Sequence, residues 1–123
     1  MSNFHETLGA NGIETILFVE TRSPWESGDV RDVLPMLSAL MDSGVKVHLH
    51  LIQNAVIWLL RDSDALRALL ESSDNRFILT ADDFSVQQRG ISEAVCGLQM
   101  RLMPMTALVE KMACATVKTI WHS

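Results

Sequence analysis

Two neighbouring carboxylates, Asp82 and Asp83, follow a short apolar run, Phe77-Ile78-Leu79, and precede a short helical stretch closed by Gly90. An acidic pair at a strand end could do acid–base work or hold a cation. The same pair suits a helix start, where N–H groups lack acceptors and the dipole attracts negative charge. Capping is the simpler account. Arg89 could face an anion, pair with a carboxylate or sit on a helix C-terminus. Trp25, in TRSPWESG, stands in a polar loop after the first apolar run, as a pocket wall, a partner contact or packing on its own domain. His48 and His50 stand two apart in an alternating stretch and so share one strand face. Two imidazoles could ligate a metal, but nothing downstream supplies a third ligand, and a polar face with some water contact is expected.

Cys96 and Cys114 are the thiols on which an enzymatic reading would turn. A reactive thiol needs exposure and a positive environment. Both follow helical stretches, where the dipole opposes a thiolate, so two packed, unreactive thiols are expected. Met100, Met103, Met105 and Met112 have the spacing of flexible core filling. No phosphate loop, dinucleotide fingerprint, zinc spacing or nucleophile elbow occurs, so no cofactor and no metal is expected.

The elements that would position these residues alternate. Strands are expected at 14–20, 45–52, 76–81, 98–103 and 116–121. Helical patterns lie between them: 29–43, 54–60 with 64–70, 84–95, and 105–113. Pro35 should bend the first helix or mark a late start, and Pro104 suits a first helical turn. The 45–52 stretch alternates more openly than the first strand, which suggests an edge. Strands alternating with helices imply an α/β/α sandwich with a mostly parallel five-stranded sheet. Ligands of such sheets bind at the carboxyl ends of the strands, which defines a candidate pocket of Trp25, Asn54, Asp82, Asp83 and Arg89.

The 123 residues suit one domain, read as a loose lead-in over 1–12 and an α/β domain over 13–123. A net charge of -5 without a basic stripe argues against nucleic acid. No run has the length of a membrane span, and 1–14 lacks the features of a signal peptide. Two cysteines outside any disulfide pattern suit a reducing, cytoplasmic setting. Mean hydropathy is slightly positive for so small a chain. The surplus concentrates in Ala55–Leu60, apolar all round, so Val56, Ile57, Trp58 and Leu60 are the candidate subunit interface. On that reading Trp58→Asp dissociates an oligomer.

The segment ADDFSVQQRGIS at 81–92 resembles the strand-end, helix and Arg-Gly segment of the DsrE/DsrF/DsrH superfamily, small α/β sulfur-relay proteins that include the TusB, TusC and TusD subunits. The tripeptide SPW at 23–25 is similar to the DsrH/TusB branch, and a final strand ending in Trp121 agrees. The resemblance implies a doubly wound domain assembling into trimers or hexamers, with a dimer next, among sulfur-relay partners. In the DsrE/TusD branch it also implies that a cysteine in the loop before the Arg-Gly helix accepts persulfide sulfur, and in the DsrH-like branch a cysteine shortly after the SPW-like segment. Here that loop, 80–85, reads TADDFS, and the 26–28 stretch after SPW carries no cysteine either. The expectation is therefore a non-catalytic subunit or paralogue of a sulfur-relay complex. The alternatives are a sulfurtransferase using Cys96 or Cys114, and a small-molecule-binding α/β module.

Overall fold

The computed structural model describes residues 12–26, 30, 32–61, 63–91, 98 and 100–122. The expected lead-in up to residue 11, the expected helix start at residue 29, the continuation of a helix over 92–95 and Cys96 lie outside these residues.

Five parallel strands form one sheet in the order β4-β3-β2-β1-β5: β1 Thr15–Glu20, β2 Lys46–Leu51, β3 Phe77–Asp82, β4 Arg101–Met103 and β5 Val117–His122. The chain steps three times in one direction, β1 to β4, then returns past β1 to add β5. Because parallel crossovers are right-handed, steps in opposite directions send their helices to opposite faces. Helices α1 (Val33–Asp42), α2 (Trp58–Arg61), α3 (Ser63–Ser72) and α4 (Asp83–Gln88) belong to the outward steps, and α5 (Met105–Met112) to the return.

The core divides accordingly. Phe18, Val47, Leu49, Leu51, Phe77 and Leu79 meet Leu34 and Leu37 of α1 and Leu66 of α3 in the larger cluster. Leu17, Val19, Ile52 and Leu108 of α5 form the smaller one, with Met103 and Met112 against it. Met100, Met103 and Met112 thus fill core gaps as their spacing predicts, whereas Met105 is exposed. In α1, Pro35 is the third residue. There its missing N–H would have had no intrahelical acceptor. Gly90 closes α4 at φ 64°, in the left-handed region that glycine enters without strain.

Three sequence expectations change. β2 is not an edge: it lies third of five between β1 and β3, buried on both faces. The strand expected over 98–103 is only three residues long. The apolar 54–60 segment is a 3-10 turn, Gln53–Ile57, running into α2. Its surplus of apolar surface is consumed internally: Ala55, Val56, Trp58 and Leu59 are buried in the subunit's own core, and only Leu60 is exposed, with Ile57 partly so. The premise that this segment must leave apolar surface wet in a single subunit does not hold for Val56 and Trp58. Among the described residues no helix is long and apolar enough to cross a membrane.

Candidate functional site

At the carboxyl edge, β3 ends in Asp82, which is extended and caps α4. One carboxylate oxygen, Oδ2, accepts from the Ser85 backbone N–H at 3.0 Å and from the Ser85 hydroxyl at 2.7 Å. Ser85 Oγ in turn accepts from the Gln53 N–H at 2.9 Å, which ties β3–α4 to the turn after β2. Gln53 has φ 53°, a left-handed conformation uncommon for a residue with a side chain. Arg89, at the end of α4, donates to the Ser85 carbonyl at 3.2 Å and to Asn54 Oδ1 at 2.8 Å. The Asn54 amide donates to Glu26 Oε1 at 3.2 Å, and Glu26 Oε2 accepts from the Ser23 N–H. One run of hydrogen bonds thus links the loops that follow β1, β2 and β3.

Three of the five pocket candidates, Asn54, Asp82 and Arg89, are joined in this run through Ser85. The other two are not. Asp83 accepts from the neighbouring Phe84 N–H at 2.7 Å. Trp25, about half exposed, lines a groove of about 750 Å³ between α1 and α3, with Leu34, Pro35, Trp58, Ala65 and Leu69. The proposed single pocket is therefore a polar latch beside an apolar groove. Ser85 is the hydroxyl nearest to being a nucleophile, but it is buried and committed to Asp82 and Gln53. Capping is the role the geometry gives Asp82. Asp82→Ala should lower stability by about 1–2 kcal/mol, read as a shift in urea midpoint with unchanged slope.

Two clusters were not anticipated. Glu20, at the end of β1, is buried, and its Oε2 lies 2.6 Å from Nδ1 of His122 at the end of β5. Burial raises the Glu20 pKa, and the hydrogen bond and charge of His122 oppose the rise. Glu20 and His122 are register partners in the β1–β5 pairing although 102 residues apart. Aligning the ends of the first and last strands would have found them, whereas a local reading takes His122 for a solvated terminal residue.

The second cluster overturns the expected wet face of β2. His48 and His50 are both buried, and Nε2 of the first and Nδ1 of the second each lie 2.7 Å from the Thr80 hydroxyl oxygen on β3. Burial pushes their pKa values down, to about 3 for His48, aided by Lys111, His50 and Arg101, and to about 4 for His50, against the opposing pull of Asp82. Both rings are neutral at pH 7. The Thr80 hydroxyl bonds one nitrogen of each ring, while the other two, His48 Nδ1 and His50 Nε2, are buried without a hydrogen-bond partner. Among the described residues no group of three or more His, Cys, Asp or Glu side chains converges as a metal ion would need.

Cys114 corrects another expectation. It is exposed, between α5 and β5, at the amino edge of the sheet and so opposite Asp82. Its Sγ lies 3.4 Å from the Thr116 hydroxyl. Hydrogen bonds from the Thr116 side chain and backbone, with Lys111 nearby, lower the thiol pKa against the helix-terminus trend assumed from sequence. An aromatic disulfide reagent should label it in the folded protein, and Cys114→Ser should lower the folded-state thiol count by one.

No family model matches the sequence, and no curated protein does. Solved structures do. The chain is similar to the ychN protein from E. coli, with a TM-score of 0.68 and 19% identity over 88% of this chain and 100% of that one. It is also similar to MTH1491, a protein of unknown function from Methanobacterium thermoautotrophicum, with a TM-score of 0.70 and 13% identity over 88% of this chain and 98% of that one. Both have the DsrE/DsrF-like fold. The chain shares their fold, an all-parallel five-stranded sheet with helices.

Proposed function

We propose that this chain is a non-catalytic DsrE-like subunit of a sulfur-relay complex. The DsrE-like fold supports the superfamily. The observation that carries the reading is the 80–85 loop. The position where the resemblance calls for a sulfur-accepting thiol holds Asp82 and Ser85, bonded to each other and to Gln53. A carboxylate there opposes both thiolate formation and an approaching sulfide. The run from Ser23 to Asp82 joins the three carboxyl-edge loops through hydrogen bonds, as suits a partner that docks and does not react. Because its polar groups satisfy one another, the small-molecule module loses support.

The subunit works as a homo-oligomer in a reducing cytoplasm, a trimer or hexamer by resemblance and a dimer next. Support comes from the exposed side chains of Phe84, Leu102, Met105, Val109 and Trp121. Met105 and Val109, four residues apart, share one face of α5, whereas Leu102 and Trp121 lie on the two opposite edge strands. To test the subunit reading, the chain is mixed with a DsrE-like protein whose corresponding loop carries a cysteine, and the mixture is run on a sizing column. Co-elution supports the reading, and separate elution of the two at micromolar concentration contradicts it.

A second reading has its own observation. Cys114 is exposed and more acidic than an ordinary thiol, so a sulfurtransferase using it remains the competing account. It would have to work from the amino edge, away from the latch.

A further inference from the structure

The groove beside Trp25 takes no part in the latch, and its two ends differ in character. At the carboxyl end its walls are large and apolar, Trp25 and Trp58 with Leu34 and Pro35. Along its middle they are small: Ser38 of α1 faces Ala65, Ala68 and Ser72 of α3. Short side chains at a contact allow a smaller interaxial distance, so a third helix can settle between α1 and α3. At the amino end Ser38 and Ser72 also line a second hollow, of about 90 Å³, which Asp42 and Asp74 border with Arg76. The two hollows share these walls and run together. From Leu34 to Asp42 the groove follows α1 for about 12 Å, or about two helical turns.

The amino end is negative. Neither Asp42 nor Asp74 has an ion-pair partner among the described residues. Arg76 lies with them, but its guanidinium donates to the Met41 carbonyl at 2.9 Å. Glu71 is exposed beside Ser72 and adds to the negative charge. Two copies of this chain packed antiparallel about Ala68 would set Asp64 of one α3 against the Glu71 end of the other. Like charges so placed disfavour self-association, whereas a cationic partner meets no such opposition.

We propose that this groove docks an amphipathic helix of a protein partner, with apolar side chains against Trp25 and a lysine or arginine at the Asp42–Asp74 end. A helix seated in a groove offers anchors at i, i+3, i+4 and i+7, which span two turns. Trp25 supplies the aromatic contact that commonly dominates such interfaces. The docking does not depend on which sulfur-relay role the subunit has.

The probe is a synthetic amphipathic helical peptide with leucines along one face and lysines at both ends. It is titrated into the full chain and followed by calorimetry and amide NMR. A control peptide carries glutamates in place of the lysines. The lysine peptide should shift the amides of Ala65, Ala68 and Ser72, with affinity falling as salt rises. The glutamate peptide should bind about tenfold more weakly or not at all. Ala68→Gln, at an exposed helical position, should weaken the lysine peptide by about tenfold. Asp42→Asn/Asp74→Asn should weaken it by about fivefold. Glu110→Gln on α5, across the sheet, should leave it unchanged. Equal binding of the two peptides, shifts confined to α5 and β5, or no binding of the lysine peptide at millimolar concentration would overturn the proposal. So would wild-type self-association that Ala68→Gln abolishes, because the groove would then belong to a second copy.

Discussion

Trp58→Asp is expected to unfold the subunit instead of dissociating an oligomer. Trp58 is 2% exposed, and its indole N–H donates to the Arg22 carbonyl at 2.8 Å. That bond fastens the loop after β1 to the start of α2. Truncating a buried tryptophan costs about 3–5 kcal/mol through lost contacts and the cavity left behind. An aspartate adds the cost of an unpaired buried charge. Against a typical total of about 5–15 kcal/mol, most of the stability is lost. Circular dichroism with sizing separates the outcomes. Leu60→Asp, at an exposed position two residues on, should remain folded. A folded Trp58→Asp protein running smaller than wild type would restore the interface reading for this segment.

The second large effect is acid lability below neutrality. For His48 and His50 the folded state favours the neutral ring, with pKa values of about 3 and about 4 against an ordinary 6.5. The unfolded chain takes up protons as pH falls through 6.5, and the folded one does not until about 4. Stability is therefore full above 6.5 and declines as pH falls from there towards the folded values. At pH 5 the loss is about 2 kcal/mol for each ring, from 1.36 kcal/mol per unit. Glu20 acts with the opposite sign. Its raised pKa means that acidification relieves a buried carboxylate. Its contribution therefore opposes that of the two rings. The urea midpoint should fall steeply between pH 6.5 and pH 4, and His48→Leu/His50→Leu should flatten that slope. A wild-type midpoint that is constant from pH 7 to pH 5 would contradict the burial of two neutral rings.

The sheet was legible because periodicity is a local property. The runs 14–20, 45–52, 76–81 and 116–121 each match a strand to within a residue, and Asp82 was readable as a cap because the acceptor it offers is three residues from its donor. What failed depends on pairing across the chain. Alternation in β2 looked like a wet face because Thr80, which hydrogen-bonds both histidines, lies 30 and 32 residues away. The 54–60 surplus looked like an interface because nothing local indicates that Trp58 reaches the Arg22 carbonyl. The candidate pocket was half legible. Residues after β2 and β3 meet where the sheet brings its strand ends together, whereas Trp25 turns into the groove between α1 and α3. Cys114 was misread because a helix terminus suggested its charge environment, whereas hydrogen bonds with Thr116 lower its pKa.

The central claim is that this subunit does not itself carry sulfur, and intact mass spectrometry of the folded chain tests it directly. The protein is incubated with a persulfide donor, freed of excess donor, and weighed without reduction. The account predicts the unmodified mass at concentrations where a DsrE-like protein with a loop cysteine gains one sulfur atom. A stoichiometric gain of one sulfur, lost in Cys114→Ser or Cys96→Ser, would contradict it and make this chain a carrier in its own right.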